Sequence, residues 1–197
     1  MHYAIDPKGT PEDATVRYDV DSKGSTFIVR AFTTGLLAAF GHNPTIAIPG
    51  IEGEIVLNPD AIDGSSLRMV VDASSLAATD DISAKDRDEI NRRMHAEVLE
   101  SDSFPQIVYE TSRVSASKTA EGQYWAAITG ELAMHGVTKT QPISARLSVN
   151  GTALRATGEF SVRQSDYEIR PVSAVGGTVR LKDELKLSFD ITARKQA

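Results

Sequence analysis

Between Gln123 and Phe160 apolar and polar residues alternate with a period of two, the side-chain period of a β-strand. Tyr124, Ala126, Ile128, Gly130, Leu132 and Met134 share one parity, and Trp125, Thr129, Glu131 and His135 the other. The alternation breaks at His135-Gly136-Val137-Thr138-Lys139 and resumes as Ile143, Ala145, Leu147 and Val149 against Ser144, Arg146 and Ser148. Asn150-Gly151 is the dipeptide that best tolerates positive φ at both centres of a type I′ hairpin turn. After it, Leu154, Ala156, Gly158 and Phe160 alternate with Arg155, Thr157 and Glu159. The pattern predicts consecutive antiparallel strands with one apolar face.

The same reading extends over most of the chain. Val16, Tyr18 and Val20 alternate with Arg17, Asp19 and Asp21, and Ser25 to Phe32 follows a turn at Lys23-Gly24. That second strand is apolar on both parities, as expected of a strand covered on each side. Further strands are predicted over Thr45–Ile48 and Glu52–Leu57, with a reversal at Asn58-Pro59-Asp60 and Asp63-Gly64. Another is predicted where Leu67, Met69, Val71 and Ala73 share a face, and another over Ile107–Val114 before a polar loop at Ser115–Gly122. Leu185, Leu187, Phe189 and Ile191 close the sheet. The period changes only after Ser83, a residue suited to an N-cap, with Asp86, Asp88 and Glu89 behind it. Ile90, Met94 and Val98 then recur every fourth position and predict one amphipathic helix from Lys85 to about Leu99. Thr33–Asn43 follows neither period; its apolar centre, Leu36–Phe40, lies between glycines and reads as a short helix or a buried connection at a sheet end.

The chain of 197 residues is long enough for one well-buried domain. Residues 1–13, with Pro7, Gly9 and Pro11, read as an N-terminal arm and residues 14–197 as the domain. A net charge of -6, with the basic residues scattered, makes nucleic acid and anionic membranes poor partners. No apolar run is long enough for a membrane-spanning helix, so stable membrane insertion is not expected. The absence of cysteine excludes thiol catalysis and disulfides. The first residues hold neither the basic nor the apolar region of a secretory signal, so a cytoplasmic location is expected for the sequence as it stands, and a periplasmic one if a signal had been removed.

Candidate chemistry is sparse. His2, His42, His95 and His135 show no metal-ligand spacing, and no metal is expected. Ser115-Ala-Ser-Lys118 lacks the companion motifs of an acylating serine, and Asp80, Asp81, Asp86 and Asp88 lack the glycine and distal glutamate of a calcium loop. His42 and His135 both follow apolar segments. Parity puts His135 opposite the apolar face, which assigns it a turn role and leaves His42 as the better ligand candidate.

Gly130-Glu-Leu-Ala-Met-His-Gly-Val-Thr-Lys139 resembles the G-x-L-x-(aliphatic)-H-G-V-T-(K/R) signature of the YceI-like family. Tyr18-Asp-Val-Asp-Ser-Lys-Gly-Ser25 is similar to that family's opening Y-x-(aliphatic)-D-x-x-x-S, and Ser103-Phe-Pro-Gln-Ile107 to its Y/F-P-x-I. Phe160-Ser-Val-Arg163 with Asp166-Tyr-Glu-Ile169 resembles F-x-(aliphatic)-x-R-x-D-(aromatic)-x-I. The resemblance covers most of the chain. It implies an all-β fold, a single antiparallel lipocalin-like β-barrel of about eight strands with one amphipathic helix outside it.

It also implies non-catalytic binding or carriage of a long amphipathic lipid, a polyisoprenoid or isoprenoid quinone, with no cofactor beyond that lipid. The tail would lie against Met69, Val71, Ile128, Leu132, Met134, Leu147, Phe160 and Phe189, and the head near Phe40 and His42. Ala126, Ala145, Ala156 and Gly158 on the inner parity leave room for a ligand; the residues alone favour a filled core, and the resemblance reverses that preference. Two other readings stay open: an enzyme on a lipid-like substrate with His42 as general base, and a closed barrel acting through protein contacts. The face holding Trp125 could support a homodimer.

Overall fold

The alternation predicted from the sequence is realised in a computed structural model that describes residues 15–34, 43–58, 61–174 and 179–196. In chain order its strands are β1 (Val16–Val20), β2 (Thr26–Arg30), β3 (Thr33–Thr34), β4 (Thr45–Ala47), β5 (Ile51–Asn58), β6 (Ala61–Asp72) and β7 (Ala77–Ala78). After the helix come β8 (Gln106–Ala120), β9 (Gln123–Met134), β10 (Val137–Asn150), β11 (Ala153–Arg163), β12 (Ser173–Ala174), β13 (Val179–Leu181) and β14 (Glu184–Lys195). β1, β5, β6, β8, β9, β10, β11 and β14 pair antiparallel in that order, and β14 returns to β1 through Tyr18 opposite Lys195 and Val20 opposite Ala193. The eight strands therefore form a closed barrel.

Three neighbouring strand positions break at one level. Asp21–Ser25 separates β1 from β2, Ile48–Gly50 separates β4 from β5, and the turn after Asp72 separates β6 from β7. Below the breaks β1, β5 and β6 complete the ring. Above them β2, β4 and β7 continue outward from β14 in that order, and among the described residues no strand pairs with the far side of β7. A helix occupies that seam. α1 (Ala84–Arg93) begins where Ser83 Oγ accepts a hydrogen bond from the Asp86 amide at 3.1 Å, the predicted cap, and it runs into a π-type turn over Met94–Val98. Asn91 Oδ1 ties the helix to the unpaired strand by accepting from the Ala78 amide at 2.8 Å, while Ile90, Met94 and Leu99 bury their side chains among Val29, Ile46 and Leu76. β3, β12 and β13 make a small sheet above this end, with Arg180 of β13 opposite Thr34 of β3 and Ser173 of β12. Among the described residues no helix is long and apolar enough to cross a membrane.

Turns differ from the sequence reading in three places. The β10–β11 turn is centred on Gly151-Thr152, because Asn150 pairs with Ala153; only Gly151, at φ 57°, needs the left-handed region. The segment predicted as a polar loop, Ser115–Gly122, remains strand as far as Ala120, since its polar side chains are mostly exposed while its backbone completes the ladder with β9. Asp63-Gly64 lies inside β6 rather than at the reversal, and Asp63 Oδ1 accepts from the Ala116 amide on β8 at 2.6 Å. The predicted arm and Leu36–Phe40 fall outside the described residues.

Candidate functional site

The inward parity of the barrel meets two different fates. At the lower end, Tyr18 at 0% exposure and Leu57 and Leu154 at 2% pack with Ile62, Val114 and Ala193 into a solid plug. At the upper end the same parity lines a cavity of about 550 Å³, within the range of about 300–1,000 Å³ usual for small-molecule sites. From top to bottom β14 contributes Leu185, Leu187, Phe189 and Ile191, and β11 contributes Val162, Phe160 and Ala156. The six steps from Leu185 to Ile191, at about 3.3 Å per strand residue, make a cavity about 20 Å long along the strand. The helix closes the seam side with Ile90, Met94 and Val98.

Seven of the residues predicted from parity line this cavity: Met69 and Val71 on β6, Ile128, Leu132 and Met134 on β9, Phe160 on β11 and Phe189 on β14. Leu147 does not. Its parity is right but it lies two residues nearer the Gly151 turn than Ala145, and there it packs onto the lower plug. Phe40 and His42 lie outside the described residues. The small inner residues do not all provide space. An added Cβ at Gly158 would fall 2.6 Å from Phe189 Cζ, so the ring of Phe189 already covers that glycine. Phe189 in turn stacks on Phe27 at 6.0 Å between centroids, and Phe27 meets Phe160 edge-on at 6.1 Å. Gly130 is covered in the same way by Tyr109.

A few polar groups interrupt the apolar wall. Tyr109, 8% exposed, donates its hydroxyl proton to the Gln141 carbonyl at 3.0 Å; burial, helped by the charge of Glu131, pushes its pKa up to about 12. Gln164, 3% exposed, donates from Nε2 to the carbonyls of Lys182 at 3.0 Å and Asp183 at 3.4 Å. Thr33, Arg93 and Arg180 also line the cavity. Tyr109 and Gln164 were missed from the sequence, yet both sit on the inward parity: Tyr109 follows Ile107, and Gln164 follows Phe160 and Val162. Among the described residues the lining is mostly apolar and holds no carboxylate, histidine, serine or lysine. His135 lies elsewhere. At φ 53° it forms the β9–β10 turn with Gly136, its ring packs on Phe104 at 4.5 Å, and Nδ1 donates to the Tyr167 carbonyl at 3.1 Å. Among the described residues no three histidines and carboxylates cluster as metal ligands would.

The model of the YceI-like domain family matches residues 15–193, the closed barrel except for the last two residues of β14. The chain belongs to the YceI-like family. Solved structures of similar fold include Burkholderia cenocepacia BcnA, at 16% identity and a TM-score of 0.67, covering 88% of this chain and 98% of that one. A polyisoprenoid binding domain from Saccharophagus degradans aligns at 12% identity and a TM-score of 0.64 over 92% of this chain and 99% of its own. The Campylobacter jejuni YceI protein aligns at 13% identity and a TM-score of 0.57, covering 77% and 85%. At these identities the likeness is one of fold. No curated protein matches the sequence. Counted from Phe160, the arginine of the YceI-like pattern read at Phe160–Ile169 falls on Gln164; Arg163 points outward and is exposed.

Proposed function

We propose that this YceI-like barrel binds and carries a long amphipathic lipid, a polyisoprenoid or isoprenoid quinone, without transforming it. The observation that carries this reading is the cavity: an apolar enclosure of about 550 Å³, closed below by a solid plug and walled above by a helix. An acyl or prenyl chain buried there gains about 0.8 kcal/mol per methylene before the entropy of ordering it. Met69, Met94 and Met134 on the lining adapt to a flexible chain better than branched residues do. The polyisoprenoid-binding designation of the Saccharophagus degradans domain, which shares the fold, supports the ligand class. Native mass spectrometry of the purified protein, followed by solvent extraction, tests the reading: a stoichiometric long-chain lipid is the expected result. A bare mass that does not change on incubation with prenols, prenylquinones or fatty amides contradicts it.

A further inference from the structure

One polar side chain is set into the upper cavity wall where a lipid tail has no use for it. Gln164 continues the inward series Phe160, Val162 beyond the end of β11, is 3% exposed and lines the cavity. Its amide nitrogen is engaged by two backbone carbonyls, of Lys182 and Asp183, which fixes the orientation of the amide. Among the described residues nothing donates to its Oε1. The other hydroxyls of the lining are themselves committed as donors: Tyr109 to the Gln141 carbonyl at 3.0 Å and Thr33 Oγ1 to Asn43 Oδ1 at 3.0 Å. Oε1 is not sealed away like the buried atoms that lack a partner; it opens on the cavity, where an O–H or N–H of a ligand can reach it and an acceptor-only group leaves it without a bond.

We infer that Gln164 is the head-group receptor of the cavity and that it selects lipids whose head donates a hydrogen bond. This rests on the lipid-carrier reading and narrows it. An alcohol, a quinol or a primary amide gives Oε1 its missing proton. A quinone, ether or ester brings only acceptors; it displaces the water that would otherwise serve Oε1 and does not replace that bond. Of an isoprenoid quinone pair, the reduced form is the ligand. Arg93 and Arg180 share the lining and would suit an anionic head instead, but Arg93 already bonds Glu97 at 3.2 Å and reaches the Ser173 carbonyl at 3.5 Å.

The test is calorimetric titration of the delipidated full chain with geranylgeraniol, its methyl ether and geranylgeranoic acid. The alcohol should bind about tenfold more tightly than the ether, the worth of one buried hydrogen bond. In Gln164→Leu the alcohol-to-ether affinity ratio should fall to about one, and a far-ultraviolet circular dichroism spectrum like that of the unaltered protein shows that the variant has folded. Should Q164L not fold, the alcohol-to-ether ratio of the unaltered protein decides alone. Equal affinities there overturn the receptor role while leaving the carrier reading intact. An acid that outbinds the alcohol moves the head to the arginines and overturns it too. Failure of all the probes to bind overturns both readings.

Discussion

The two halves of the barrel are built from the same kinds of residue and behave differently. Tyr18, Leu57 and Leu154 below and Leu132, Phe160 and Phe189 above all sit on the inward parity of their strands. Below, all eight strands take part in the ring, the β6–β8 ladder of Arg68–Asp72 giving way lower down to side-chain bonds from the Leu67 amide to Thr111 Oγ1 and from the Ala116 amide to Asp63 Oδ1, and the side chains pack into one cluster. Above, the ring parts between β7 and β8, a helix stands in the gap, and the enclosed space exceeds what the side chains fill. Hollowness here goes with the upper gap, where a helix stands in place of a strand, rather than with composition. The breaks after Val20, Ala47 and Asp72 fall side by side on adjacent strands: an added Cβ at Gly50 would lie 2.5 Å from Ser75 Oγ, so the second and third breaks pack directly on one another.

That contrast fixes what substitutions in each half should do. Leu154→Ala in the plug should cost about 2–5 kcal/mol, because a fully packed site cannot collapse around the deleted methyls; urea unfolding measures it. A loss under about 1 kcal/mol would mean that the lower half is not solid. Gly158→Ala, at the boundary, should cost about 1–3 kcal/mol by overpacking, since its Cβ would meet the Ser144 carbonyl at 2.5 Å and the Phe189 ring at 2.6 Å. A stabilised variant would show that Phe189 is free to move.

In the upper half the expected signature is reversed. Ile143→Trp, on the cavity wall, should leave the melting temperature within a few degrees and weaken lipid binding about tenfold or more, because the indole occupies ligand space. Unaltered binding would place the ligand elsewhere. Tyr109→Phe should have the smallest effect, about 1 kcal/mol at neutral pH from the lost bond to Gln141. It carries a pH signature. The folded-state pKa of Tyr109 is raised to about 12 from about 10 unfolded, so the protein loses this contribution as pH rises from about 10 toward 12. The variant should show a shallower decline over that window, and parallel declines would remove Tyr109 from the account.

Much of this was legible in the sequence. Alternation located the barrel strands, and Ser83 with the spacing of Ile90, Met94 and Val98 located the helix. Parity also brought seven cavity residues together. Depth was not legible: Leu147 and Leu132 share a parity, and only the level of the strand breaks puts one in the plug and the other on the cavity. Nor was occupancy: Gly158 reads as empty space until Phe189, from a strand thirty residues on in the chain, is seen to cover it. Gln164 could have been found by continuing the alternation two residues past Val162, but a polar residue after an apolar series reads as the end of a strand.

The central claim is that a long-chain lipid lies in the upper half and leaves the lower half untouched. Methyl-labelled isoleucine NMR during titration with geranylgeraniol tests it most directly, because isoleucines mark both halves. Ile107, Ile128 and Ile143 line the cavity, and Ile62 sits in the plug. The account predicts saturable shifts at the first three and a stationary Ile62 methyl. Shifts of similar size at Ile62, or none at the cavity residues under saturating lipid, would contradict it.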